Sequence, residues 1–98
     1  MTDTPESLLA LWPDYAPTPL VSLPALASLL GIAAITIKDE GKRPLGSFKS
    51  LGGMYASLRA LARHAGIDTI GELVKTAPHR HLPPLVCASD GNHGLAVA

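Results

Sequence analysis

Apolar positions along the chain fall into short clusters punctuated by proline and glycine, and the spacing within each cluster names an element. Thr4-Pro5 reads as a cap followed by proline at the first helical position, opening a short helix over Pro5–Trp12. Pro13 to Pro19 is extended, because residues before proline are pushed out of the α region. Ser22 is positioned to cap a second helix, Leu23–Leu30, with Gly31 as its stop. Ile35–Lys38 is β-branched and short, and reads as a strand. Past a polar loop, Phe48, Leu51, Met54, Tyr55, Leu58, Leu61 and Ala62 recur at helical spacing. This predicts the longest helix, ending near His64 with Gly66 just beyond. Thr69-Ile70-Gly71-Glu72 has capping-box form and predicts another short helix. Leu85–Ala88 has the look of a buried strand, Ser89–Gly94 is a turn, and a helix begins at Leu95.

Strands alternating with helices predict an α/β fold: a partial open parallel sheet with flanking helices. Two strands do not complete such a sheet, which needs both faces covered. The expectation is therefore one incomplete domain spanning residues 1–98. The length of 98 residues agrees, since domains usually run to ~100–150. No internal repeat or low-complexity tract is present.

Composition narrows the classes of function. Eight basic and eight acidic residues give a formal net charge of zero, which removes the main electrostatic argument for a nucleic-acid or membrane-surface partner. The mostly apolar run from Leu20 to Ile37 is interrupted by Ser22, Pro24, Ser28, Gly31 and Thr36, too broken to span a bilayer. The segment Met1–Glu6 is acidic and lacks the basic region of a signal peptide. Cys87 is the sole cysteine, which fits a reducing compartment. Together these predict a cytoplasmic protein.

Two loops between a predicted strand and helix carry candidate chemistry, since such loops gather at the carboxyl ends of strands where ligands bind. In the first, Gly46-Ser47-Phe48-Lys49-Ser50-Leu51-Gly52-Gly53, the lysine sits in the opening turn of the long helix. The dipole there opposes a cation, and an amine so placed is a better nucleophile toward an aldehyde. The plainer reading is a surface lysine whose stem covers the helix start. In the second, Ser89-Asp90-Gly91-Asn92-His93-Gly94, glycines let backbone amides approach a ligand, and a turn feeding a helix suits an anion. The plainer reading is a tight turn with Asp90 or Asn92 capping the next helix. His79-Arg80-His81, with His64 and Cys87, fits no structural zinc spacing, so no metal is expected. Lys42-Arg43 reads as a solvated pair, and Trp12, Tyr15 and Tyr55 as packing residues.

The two loops together resemble the fold-type II pyridoxal-phosphate enzymes, the tryptophan synthase β-like superfamily. Within it, the stretches Pro17–Leu26, Ile37–Glu40 through Lys49–Ala56, and Ala88–Gly94 are most similar to the diaminopropionate ammonia-lyases. Leu95 after Gly94, where relatives often carry arginine, and Arg43–Ser47 before the lysine depart from that subfamily. The resemblance implies the N-terminal portion of the tryptophan synthase β-like fold, with pyridoxal 5′-phosphate as cofactor. Lys49 would be the Schiff-base lysine and the base that takes the substrate α-proton. Asn92 would hydrogen-bond the cofactor's phenolic oxygen, and Phe48 would pack near its ring. Ser89, Gly91 and His93 would line the pocket for the substrate carboxylate. Asp90 is the distinguishing residue, serving as a second base or holding a β-ammonium group. The reaction implied is elimination of ammonia from 2,3-diaminopropionate to give pyruvate, in an enzyme that forms a homodimer when complete. The family's phosphate cradle and pyridine-nitrogen partner are not found in these residues, so the expectation is a truncated part, inactive alone. The alternatives are a threonine or serine dehydratase, and a non-catalytic remnant.

Overall fold

The computed structural model describes residues 3–98, so Met1 and Thr2, part of the acidic N-terminal segment, lie outside the described residues. The helices are α1 (Pro5–Leu9), α2 (Pro24–Leu30), α3 (Lys49–Ala65), α4 (Ile70–Thr76) and α5 (Asn92–Val97). The strands are β1 (Leu20–Ser22) and β2 (Thr36–Lys38), with short 3-10 turns at Glu40–Lys42, Pro44–Gly46 and Ala77–His79. The chain divides into two compact units. One joins the residues up to Tyr15 to Lys49–Ala98, and the other is Ala16–Phe48.

In the unit Ala16–Phe48, β1 and β2 pair antiparallel, with Val21 opposite Ile37. Bonds from Leu23 N to Ile35 O (3.0 Å) and from Asp39 N to Pro19 O (2.9 Å) continue the pairing at both ends. The one sheet among the described residues is thus two-stranded and antiparallel, built on a strand, β1, that the sequence pattern does not predict. Leu20–Ser22 is a strand between prolines, and Ser22 lies in it without capping α2. Pro24 holds the first helical position, where its missing N–H costs nothing, so Leu23 stands at the cap with no side-chain bond. The C-terminal stop is as read: Gly31 adopts a left-handed conformation (φ 64°) and Ile32 N reaches back to Ala27 O.

The same unit holds a charged network that the sequence presents as a solvated loop. Arg43 is 4% exposed and grips Glu40 with two bonds, Nε to Oε2 at 2.5 Å and Nη2 to Oε1 at 3.0 Å. Thr18, also buried, donates its hydroxyl to Glu40 Oε1 at 2.6 Å. Lys38 Nζ donates to Thr18 Oγ1 at 2.6 Å and to Thr18 O at 3.1 Å. Two-point guanidinium–carboxylate bonds are stronger than neutral ones and fix geometry. The network ties the segment before β1 to the turn after β2. Beyond it, Leu45 takes a left-handed conformation (φ 70°), unusual for a residue with a Cβ.

In the other unit, α3 starts at Lys49 and runs to Ala65, with Gly66 left-handed just past it. Phe48 therefore belongs to the preceding turn and not to the helical stripe. Ala62, Ile67 and Leu73 form the core, with Leu58, Leu61, Ala65 and Leu82 packed around them. Thr69 caps α4 as the sequence predicts, its Oγ1 accepting from Glu72 N at 3.1 Å. The Asp3 carboxylate accepts from Ile70 N at the start of α4, with Arg59 Nη1 3.8 Å away, and Tyr55 Oη donates to Asp3 O at 3.2 Å. α1 stops at Leu9, short of Trp12, and single-turn bonds carry the chain toward Pro13. Trp12 packs against Tyr15, ring centres 6.2 Å apart.

Leu85–Ala88, expected as a strand, forms none among the described residues, and Val86 is 93% exposed. A strand exists only where a neighbour takes its backbone groups. Among the described residues, no helix is long and apolar enough to cross a membrane, and no three potential metal ligands converge.

The network gives a titration signature. Hydrogen bonds from Arg43, then Thr18, hold the Glu40 carboxyl at about 2, down from 4.5. The folded state thus favours the ionised form. Its contribution is full above pH 4.5 and is lost as pH falls through about 2. Carboxyl-carbon NMR should place the Glu40 midpoint near 2, and Glu40→Gln should remove that limb of acid unfolding.

Candidate active site

Both sequence-predicted loops contribute to the unit that contains α3 and α5. Lys49 is the first residue of α3 and is half-buried, with Ser50 beside it buried. Residues four apart share a helix face, so Lys49 stands one turn before Gly53. Gly53 is buried, and α5 packs against it. A Cβ added at Gly53 would meet Ala96 Cβ at 3.2 Å, His93 Nδ1 at 3.6 Å and Val97 Cγ2 at 3.7 Å. The absence of a side chain there lets the two helices approach. Gly52, by contrast, has open space where a Cβ would go.

The Ser89–Gly94 loop is shaped by one side chain. Ser89 Oγ accepts from Gly91 N at 2.9 Å and from Gly94 N at 2.7 Å. Gly94 N is one of the first-turn amides of α5 that lack a partner within the helix. Ser89 therefore does the capping that the sequence left to Asp90 or Asn92. Asn92 is instead the first helical residue, and Gly91 before it has φ 136°, which only glycine adopts readily. A Cβ at Gly94 would come within 3.3 Å of both Ser89 Cβ and Oγ.

The geometry joins some predicted residues and leaves others apart. His93 lies against the face of α3 that Lys49 begins. It also borders a cleft of about 190 Å³ with Gly53, Ser57 and Cys87. Asp90 and Asn92 are exposed, and no hydrogen bond of either side chain occurs among the described residues. Phe48, in the other unit, is 61% exposed. A larger apolar groove, about 290 Å³, lies between α1 and α3, lined by Leu8, Leu9, Leu51 and Tyr55. It offers little for polar chemistry, so the donor set at Lys49 and Asn92 is the better candidate. That set fits pyridoxal phosphate: an amine for an aldehyde and a carboxamide for a phenolic oxygen.

Gly53 and Gly94 fall within the two predicted loops, but the packing role of each was not read from the sequence. The signal for Gly53 was available, because Gly53, Ala56, Ser57 and Ala60 are small residues repeating at helical spacing. A glycine inside a helix costs about 1 kcal/mol relative to alanine and asks for a packing reason.

Gly53→Leu should therefore displace α5. Crowding of this kind costs about 1–3 kcal/mol. NMR should show large shift changes at His93, Ala96 and Val97, with the α4 amides little moved.

A family model described as "Pyridoxal-phosphate dependent enzyme" matches residues 11–98. The diaminopropionate ammonia-lyase of Escherichia coli (strain K12) is 43% identical over 88 residues, covering 86% of this chain and 22% of that protein. The diaminopropionate ammonia-lyase of Salmonella typhimurium (strain LT2) is 40% identical over 99 residues, covering 88% of this chain and 23% of that protein. The chain thus spans under a quarter of the length of these curated relatives. No solved structure matches. Family members bind pyridoxal phosphate, and the family implies the tryptophan synthase β-like fold, of which the helices and small two-stranded sheet form part. The chain belongs to the pyridoxal-phosphate dependent enzymes.

Proposed function

We propose that these residues carry the lysine and the asparagine loop of an ammonia-lyase that converts 2,3-diaminopropionate to pyruvate and ammonia. The observation that carries this is the packing of α5 on Gly53, one turn after Lys49 on the same helix face. The names of the relatives support the substrate. Pyridoxal phosphate, when bound, supplies an aldehyde that takes up amines and a ring that withdraws electrons.

The chain's own residues have separate tasks. Lys49 would bring the amine that holds the cofactor and would then take the proton from the substrate α-carbon. Asn92 would donate from its side-chain amide to the phenolic oxygen. The Asp90 carboxylate faces the substrate either as a base or as the partner of its β-ammonium. Ser89, Gly91 and His93 would border the carboxylate of the substrate. In the complete enzyme the partner is a second copy of the chain, and the compartment is the cytoplasm. Leu85–Ala88 becomes a strand of the family's open parallel sheet when that sheet's other strands lie beside it.

The chain offers four lysines for trapping: Lys38, Lys42, Lys49 and Lys75. Mixed with pyridoxal phosphate, it should develop a visible absorbance band. Borohydride should then fix the phosphopyridoxyl group on Lys49, as read by peptide mass spectrometry, and Lys49→Ala should abolish the band. Label spread evenly over the lysines would sink the reading.

The substrate needs its own test in a full-length enzyme carrying these residues. Asp90→Ser should lower turnover of diaminopropionate by about 100-fold or more, the usual scale for loss of a positioned acid or base. Unchanged turnover on diaminopropionate would point to a serine or threonine dehydratase.

A further inference from the structure

We propose that Ser89 is a positioning residue whose side-chain oxygen sets the loop before any cofactor arrives and so orients Asn92. The inference rests on reading Asn92 as the partner of the cofactor ring. A hydroxyl oxygen has two lone pairs. Both are engaged at Ser89, by Gly91 N at 2.9 Å and Gly94 N at 2.7 Å. These two amides bracket Asn92 and His93, so one atom fixes both ends of the arc that presents them.

The division of labour within the loop supports this role. Aspartate and asparagine are favoured capping residues, and either Asp90 or Asn92 would ordinarily turn its side chain onto the backbone amides at the start of α5. Ser89 has taken that position instead. The side chains of Asp90 and Asn92 make no hydrogen bond among the described residues and remain available to a ligand. Gly94 completes the arrangement, because a Cβ there would sit 3.3 Å from both Ser89 Cβ and Oγ. Glycine at that position makes the seat into which the serine folds. Gly91, at φ 136°, supplies the backbone reversal that brings its own amide round to the same oxygen.

The test compares Ser89→Ala, which removes the acceptor, with Ser89→Thr, which keeps it. The first readout is amide hydrogen exchange by NMR on the cofactor-free chain, with the core α3 amides of Leu61 and Ala62 as internal reference. Ser89→Ala should speed exchange at Gly91 and Gly94 by about fivefold, the scale of one lost capping bond, and leave α3 unchanged. Ser89→Thr should match the parent chain. The second readout is the apparent dissociation constant for pyridoxal phosphate from the absorbance band. It should rise about fivefold in Ser89→Ala and return in Ser89→Thr, with Lys49 still the residue trapped. Should Ser89→Ala also lose protection in α3, Gly94→Ala takes its place, since it keeps the hydroxyl but crowds its seat. Unchanged exchange at both glycines overturns the proposal, as does faster exchange with unchanged cofactor affinity. A parent chain that shows no absorbance band, with exchange behaving as expected, overturns instead the cofactor reading on which the orienting role rests.

Discussion

The close approach of α3 and α5 at Gly53 is the constraint on which the site depends. A Cβ at that position would crowd Ala96 at 3.2 Å and fill the remaining space against His93 and Val97, so any larger side chain would push α5 away from the helix that begins with Lys49. Two motifs about forty residues apart in sequence thus meet on neighbouring helices at a position that holds no side chain. The packing is cheap in area but exacting in shape, which is how helix pairs lined by small residues achieve short separations. Glycine weakens the helix by about 1 kcal/mol relative to alanine. Contact with α5 offsets that cost at Gly53, whereas nothing in the fold offsets it at Gly52.

A second layer of order sits in the loop itself. Ser89 holds two amides, Gly91 bends the backbone, and Gly94 leaves room for the serine. The polar side chains expected to do chemistry are then presented at an already shaped turn. The unit Ala16–Phe48 is stabilised differently. It has few buried apolar residues, and its side-chain bonds centre on Glu40, which accepts from the buried Arg43 and Thr18. Leu20 at 70% and Leu29 at 81% exposure show how much apolar surface this unit leaves uncovered.

What the sequence disclosed follows from the range of the interactions involved. Local signals were legible: Thr69 capping α4, Gly31 and Gly66 ending helices, and the apolar stripe of α3 all depend on residues within a turn or two. The loops around Lys49 and Asn92 were legible because their residue types and order carry a family pattern. Pairing was not. Leu20–Ser22 has only three residues and borders prolines, so nothing local announces a strand, and its partner is set by tertiary contact. Leu85–Ala88 fails for the converse reason, since its sequence suits a strand that has no neighbour among the described residues. Arg43 looked like half of a solvated pair because its true partners, Glu40 and Thr18, become adjacent only once β1 and β2 are paired.

Gly53 admits α5 to the lysine-bearing face of α3. Proton–proton NOE spectroscopy on the chain tests that contact. Strong cross-peaks between the Gly53 α-protons and the Ala96 methyl, with weaker ones to His93 and Val97, are the predicted result. Helical signals for α3 without any cross-peak from Gly53 to α5 would contradict it.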